Sequence, residues 1–454
     1  MSYRIPGFSS SSNSSNFWCE PNSERDLPES GLLRSMSSIR PAVMIADEAA
    51  CAFAESSAPA RAESGGPALH ATDEMRRLAT PWAVASARAG LIEGSTLPPG
   101  VLLDPACGSA TQLAALCSEL GRGGIGVELS GAIAPLAAVN LARAAAWAEA
   151  DWGAASRVLW GDGIEATAIL AAHRESLGAS PPIALLHIDP ARPADAQRHT
   201  LDEMQPRLDL LLRAWAPHLA ANPALILDLS PRLSAGQRSE VASIVSELWP
   251  EAATTWQWMT QGRGRIDRLS LWVGPIADPA GNRLLRLSKQ GDLSVLSGQP
   301  SEAMVALDLA PSSGQTLSLV DPSLIASGLA EAWRERASPE GESGWLELDG
   351  RRPVFLSENP LVEDEVVAGF VQVSGQILSV VTEVSLEAVD TLCENAHAAG
   401  LSSLKLRCRI APAIQPRFQS AVDRGMARLS EEGESVSGFL AEACGSHLIC
   451  GEVP

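Results

Sequence analysis

A chain of 454 residues with 46% hydrophobic and 19% charged residues and a mean hydropathy of +0.06 is long and apolar enough for two or three globular domains. Its 34 basic against 54 acidic residues leave a net charge of −20, which argues against a strong general grip on phosphate backbones and leaves that work to a local basic patch. No continuous apolar run is long enough for a bilayer, no apolar leader core follows the N-terminal charges, and the eight cysteines include no C-x-x-C pair, so a cytoplasmic protein with reduced thiols, no membrane span and no metal is expected.

Residues 1–70 are rich in Ser, Ala, Pro, Glu and Gly, include the run Ser9 to Ser15, and lack sustained periodicity; the expectation is a disordered tail. From Ala71 the texture changes. Asp73 to Leu78 can form a helical turn, and Thr80 followed by Pro81 reads as an N-cap opening a helix over Trp82 to Leu91. Val101 to Ser130 then gives the densest information. Val101 to Leu103 is a buried strand ending at Asp104 and Pro105, Ala106 to Ala110 is a turn of small side chains around Gly108, and Thr111 to Leu120 has helical spacing closed by Gly121. Ile125 to Val127 is a second strand ending on Glu128. An acid about 20 residues beyond a glycine loop stands where it can accept from ribose hydroxyls in a nucleotide-type site.

The alternation continues. Helices are expected at Ala132 to Trp147, Ile164 to His173, Leu201 to Leu219 and Ala235 to Trp249, and strands at Val158 to Gly161, Ile183 to Ile188, Ala224 to Leu229, Ala253 to Met259 and Leu269 to Val273. The last two strands are joined by the arginine-rich turn Gln261 to Arg268, which suits a closing hairpin. Such alternation specifies an α/β fold with a doubly wound, mainly parallel sheet covered on both faces. Ligands of these sheets bind outside the carboxyl ends of the strands, and Asp104, Glu128, Asp162 and Asp189 all fall at such ends. Pro275 to Gly314, in which Pro, Gly and Ser interrupt short strands, reads as a bridge to a second unit. Beyond it, strands at Gly344 to Leu348, Pro353 to Phe355, Val366 to Val373, Ile377 to Val381 and Ser403 to Ile410, with helices after Asp321 and over Leu386 to Ala399, predict a C-terminal α+β domain. The expected units are 1–70, 71–310 and 311–454.

The segment Asp-Pro-Ala-Cys-Gly-Ser-Ala from Asp104 to Ala110 resembles the first motif of class I S-adenosylmethionine-dependent methyltransferases, in the variant of nucleic-acid-modifying members. Ala110 stands where those enzymes usually carry glycine, a place alanine can fill if it is already helical. The resemblance implies S-adenosyl-L-methionine as cofactor and an antiparallel last strand. It places Asp104 near the amino-acid moiety, Glu128 on both ribose hydroxyls and Asp162 on the adenine amine, with Ala106, Cys107, Gly108, Leu129 and Gly163 completing the cofactor set. Asp189, with Pro190 and Arg192 of the loop His187 to Arg192, becomes the candidate for substrate orientation or base chemistry. Ala191 and Arg192 replace the proline and aromatic that stack on target bases in exocyclic-amine enzymes, and Leu227 to Arg232 lacks the nucleophilic cysteine of the 5-methyluridine enzymes. Cys107 itself reads as a packing residue.

The same motifs, with Leu319 to Leu329 and Phe355 to Pro360, resemble a group of methyltransferases with a THUMP-like C-terminal domain, in which Pro193 would be an arginine. That likeness implies RNA as partner, and Lys405, Arg407 and Arg409, alternating with apolar residues on one strand, are the candidate substrate-binding bases. A protein or small-molecule acceptor and a catalytically inactive scaffold are the competing functions. The pattern leaves the oligomeric state open.

Overall fold

The computed structural model describes residues 40–452 except 94–95, 191–200, 263, 349, 383 and 431–435, and the side chain of residue 78 also lies outside the description. Residues 40–70, expected as part of a tail, carry ordered elements: β1 (Ala42–Met44), α1 (Glu48–Ser57), β2 (Arg61–Ala62) and β3 (Ala68–Leu69). The Asp47 side chain caps α1 by accepting from Ala50 N at 2.8 Å. The composition hid this because α1 packs with alanines: Ala54 and Ala58 are buried against Leu136 and Val139, so close approach replaces a stripe of large side chains. Residues 1–39 of the expected tail lie outside the described residues.

Next come α2 (Asp73–Leu78), α3 (Trp82–Ala89), β4 (Val101–Asp104), α4 (Thr111–Leu120), β5 (Gly124–Glu128), α5 (Ala134–Trp147), β6 (Arg157–Trp160), α6 (Ala166–Leu177) and β7 (Ile183–Ile188). These are followed by α7 (Leu208–Trp215), β8 (Leu225–Leu229), α8 (Ala235–Leu248), β9 (Thr254–Thr260) and β10 (Arg268–Val273). The single helix expected over Leu201 to Leu219 is shorter, because Pro206 has no N–H to continue it, and α7 starts at Leu208. The short strands expected in the bridge belong to the first sheet. They are β11 (Asn282–Leu287) and β12 (Leu293–Gly298), which extend it in the order β1-β6-β5-β4-β7-β8-β10-β9-β11-β12. Strands β6, β5, β4, β7 and β8 are parallel, and β10 runs antiparallel between β8 and β9. The strand order reverses direction between β4 and β7. In doubly wound sheets that switch point opens the ligand crevice.

The second sheet contains β13 (Thr316–Val320), β14 (Ser343–Glu347), β15 (Val354–Ser357), β16 (Val371–Val381), β17 (Ser403–Leu406), β18 (Ser437–Ala443) and β19 (Ser446–Glu452). Their order is β14-β15-β13-β16-β19-β18-β17. Helices α9 (Ser323–Ala326), α10 (Ala330–Ala337), α11 (Glu365–Gly369), α12 (Val389–Ala398) and α13 (Gln415–Leu429) accompany it. The strand expected over Val366 to Val373 begins instead as α11, since the Asp364 carboxylate accepts from Val366 N and Val367 N and starts a helical turn there. The two sheets share apolar packing. One buried cluster runs from Leu227, Leu271 and Leu284 into Leu324, Trp333 and Phe355.

Candidate active site

Between β4 and α4 the backbone passes through two left-handed residues, Gly108 (φ 52°) and Ala110 (φ 58°). Ala110 is therefore not already in the right-handed helix, contrary to the expectation. It is fully buried and carries a Cβ in a conformation that costs an L-residue on the order of 1–2 kcal/mol, so the surrounding structure must hold it there. Asn140 of α5 is the visible clamp. Its Oδ1 accepts from His70 N at 2.7 Å, and its Nδ2 donates to His70 O at 2.8 Å and Ser109 O at 2.9 Å.

Glu128, at the end of β5, accepts from Gly108 N at 3.0 Å through one oxygen and from Ser130 N at 2.8 Å through the other. Burial raises its carboxyl from the ordinary value, against the opposing effect of those two N–H groups. Open space faces Gly108, where an added Cβ would meet nothing within 4 Å. Beyond β6, Gly163 is packed so closely that a Cβ would lie 1.9 Å from Pro105 O, and Asp162 accepts from Ile164 N at 3.1 Å. Leu129 and Ile164 are 70% and 36% exposed. The β5 and β6 ends thus bring carboxylates, bare backbone and exposed apolar surface to one edge.

Asp104 and Cys107 are buried and Ala106 is half-buried. Asp104 is 2% exposed; its Oδ1 accepts from Ala106 N at 3.0 Å and its Oδ2 lies 2.8 Å from His187 Nδ1, so its oxygens serve the loop and the histidine. Cys107 N donates to Val127 O at 2.9 Å, and burial, then the charges of Asp104 and Glu128, push the thiol well above its ordinary value. A thiol held in that state is packing, not a nucleophile.

Behind the switch point sits a buried ionic network that the sequence reading did not single out. His187 of β7 lies between Asp104 and Asp228, with Nε2 3.2 Å from Asp228 Oδ2. Burial favours the neutral imidazole, but the two carboxylates outweigh it and raise His187 to about 10, so both ring nitrogens donate. Arg88 of α3 grips Asp228 with Nη1 on Oδ2 at 2.8 Å and Nη2 on Oδ1 at 2.5 Å. Burial opposes ionisation of Asp228, yet Arg88 and then His187 prevail and hold it far below the usual carboxylate range. Arg88 Nη1 also donates to Gln112 Oε1 at 3.0 Å, and Gln112 Nε2 donates to Asp189 Oδ2 at 2.8 Å. The available signal was charged residues inside apolar strands, His187 in IALLHI and Asp228 in LILDL.

Asp189 itself is partly exposed and Pro190 is buried, while Arg192, with Ala191 and Pro193, lies outside the described residues. Burial, reinforced by Asp228, raises Asp189 to about 6, although His187 and Arg268 pull the other way. Arg268 Nε donates to Thr80 Oγ1 at 3.0 Å, so Thr80 anchors β10, and Pro81 holds the N-cap position of α3.

The basic trio separates. Lys405, Arg407 and Arg409 are exposed at alternate positions, but β17 stops at Leu406 and the chain bends at Cys408. Lys405 Nζ lies 3.1 Å from Asp423 Oδ1 and Arg409 Nη2 2.6 Å from Glu347 Oε2, so these two are neutralised. Arg407 has no carboxylate within 4.0 Å among the described residues. Arg352 donates from Nη1 to Arg407 O at 2.6 Å, and burial followed by the Arg407 charge lowers Arg352. The neighbouring Arg351 abuts the arginine-rich turn, since a Cβ on Gly264 would lie 3.0 Å from Arg351 Cβ. Among the described residues, no group of three or more His, Cys, Asp or Glu side chains is arranged to hold a metal, and no helix is long and apolar enough to cross a membrane.

No family model and no curated relative matches the chain. Among solved structures it is similar to a provisionally assigned methyltransferase from Porphyromonas gingivalis W83, at 13% identity over 85% of this chain and 84% of that one, with a TM-score of 0.56. A provisionally assigned class I S-adenosylmethionine-dependent methyltransferase from Listeria monocytogenes matches at 16% identity over 47% and 67% with a TM-score of 0.31. Human methyltransferase-like protein 13, solved with S-adenosylhomocysteine, matches at 17% identity over 46% and 84% with a TM-score of 0.28. With the order β6-β5-β4-β7-β8-β10-β9 and its antiparallel β10, the chain has the class I methyltransferase fold, extended by a second, seven-stranded sheet.

Proposed function

We propose that the protein is an S-adenosylmethionine-dependent methyltransferase that acts on structured RNA, transfer or ribosomal, without a covalent cysteine intermediate. The observation that carries the cofactor reading is the Glu128 carboxylate, held at the end of β5 by Gly108 N and Ser130 N beside an open glycine loop. The residues present fit this cofactor. Glu128 offers remaining lone pairs to a ribose diol, the exposed Leu129 and Ile164 side chains offer apolar contact to a purine, and Asp162 offers an acceptor to an exocyclic amine. When bound, the cofactor supplies a methyl group on a sulfonium, which needs no metal. The protein's own task is alignment and proton removal. Asp189, on the far side of the switch point from Glu128, is the residue we assign to the acceptor, with the buried Pro190 next to it.

The RNA acceptor is supported by the THUMP-like resemblance and by Arg351, Arg352 and Arg407, which have no carboxylate partner among the described residues of a strongly acidic protein. Guanidinium groups in that state suit phosphate. Calorimetry with S-adenosylhomocysteine tests the cofactor: wild type should bind, and Glu128→Ala should bind more weakly. Tritium transfer from labelled cofactor to RNA, protein and metabolite fractions tests the acceptor. Label confined to protein or metabolites removes the RNA assignment, and cofactor binding without transfer to any fraction leaves an inactive scaffold, a reading that Ala110 keeps in contention.

A further inference from the structure

The side chain of Gln112 joins the buried Arg88 guanidinium to the half-buried Asp189 carboxylate, and its amide has one donor end and one acceptor end. A guanidinium carries only donors. Arg88, clamped by both its terminal nitrogens on Asp228, can therefore face only Gln112 Oε1, and this turns Nε2 toward Asp189. The Asp189 oxygen that meets Nε2 must accept. It cannot point a proton at the amide.

We infer that Gln112 is a positioning residue which, with its amide orientation set by Arg88, commits Asp189 Oδ2 as an acceptor and leaves Oδ1 as the atom that meets the methyl acceptor. This deepens the proposed reaction and rests on it. In the transfer, the carbon–sulfur bond breaks with its electron pair staying on sulfur, the acceptor lone pair forms the new bond to carbon, and the acceptor's proton passes to Asp189 Oδ1. The charged groups acting on Asp189 come from every side: Asp104 from β4, His187 from β7, Asp228 from β8, Arg268 from β10 and Arg88 from α3. Of these surroundings, Gln112 is the neutral member that touches the carboxylate, so it can be exchanged without removing a charge.

The test is carbon-13 NMR of the full-length protein labelled at aspartate carboxyls, with the Asp189 signal identified by its loss in Asp189→Asn. Wild type should titrate near 6. Gln112→Glu keeps the bond to Arg88 but turns an oxygen toward Asp189, and should raise the midpoint by about one unit or more. Gln112→Leu removes the donor and should raise it by a smaller amount. In both variants S-adenosylhomocysteine affinity, measured by calorimetry, should stay within about twofold, because the Gln112 amide bonds Arg88 and Asp189 and not Glu128. Unmoved midpoints in two folded variants overturn the inference, as does a midpoint in Gln112→Leu that falls. If either variant unfolds, the other decides, and if both do, the near-isosteric Gln112→Met, which also removes the donor, decides: a midpoint that is unmoved or falls relative to wild type overturns the inference. Absent cofactor binding in wild type would instead remove the methyltransferase reading while leaving the carboxyl titration as measured.

Discussion

On the proposed reaction, Glu128 and Asp189 divide the work. A carboxylate on the ribose binds ground and transition states alike, whereas one beside the reacting atom matters mainly when charge and proton move. Glu128→Ala should therefore weaken S-adenosylhomocysteine binding with little added loss of kcat, and Asp189→Ala should lower kcat on the order of a hundredfold or more at nearly unchanged cofactor affinity, in variants whose melting temperatures match wild type. Equal losses in both would leave Asp189 with no separate role. His187 makes a further residue-scale prediction. Its folded-state value near 10 exceeds the ordinary 6.5, so the stability it contributes is present in full below about 6.5 and is lost as pH rises toward 10. Wild type should lose melting temperature over that interval, and His187→Gln should show a flatter profile. The strand-end acids were legible in the sequence because a polar residue ending an apolar run marks a carboxyl edge. Arg88 and Gln112 were not, since one sits in an alanine-rich helix and the other at a helix start, and only the meeting of α3, α4 and β8 makes them partners.

At the scale of elements, α3 and the glycine loop are held by single polar side chains reaching across long sequence separations. Arg88→Met leaves Asp228 charged and buried, and breaking such a pair costs about 3–5 kcal/mol. A urea melt should show that loss, and a change below about 1 kcal/mol would mean that the pair is replaceable by packing. Asn140→Leu strands the His70 N–H and carbonyl and the Ser109 carbonyl; unsatisfied buried groups cost about 1–3 kcal/mol each, so melting temperature and S-adenosylhomocysteine affinity should fall together. Ala110→Gly should keep both, whereas Ala110→Val places a β-branched side chain at positive φ and should lose both. The parallel strands and their helices were readable from period and punctuation. Residues 40–70 were not, because α1 buries alanines, and α11 was misread because Asp364 acts through a cap that strand-like composition conceals.

For the whole molecule, the seam between the two sheets is load-sharing rather than a linker. Arg286 donates to the carbonyls of Gly369 and Val371, Asn282 Nδ2 donates to Ser327 O at 2.7 Å, and Thr260 Oγ1 lies 3.3 Å from Asp321 Oδ2. Together with the common apolar cluster, these contacts predict one cooperative urea transition for the full chain and a lower midpoint for a fragment ending at residue 310. Two separate transitions in the full chain would show that the sheets unfold independently. The sequence suggests a bridge over Pro275 to Gly314 because Pro, Gly and Ser interrupt its short strands, and pairing of β11 with β9 and of β12 with β11 makes those strands part of the first sheet. At the opposite end of that sheet, β1 meets β6 through only three residue pairs, Ala42 with Trp160, Val43 with Leu159 and Met44 with Val158. This short strand acts as a guard against self-association: without it, the backbone of Arg157–Trp160 becomes an open template beside a half-exposed tryptophan. A protein starting at residue 47 should scatter light at concentrations where the full chain stays clear.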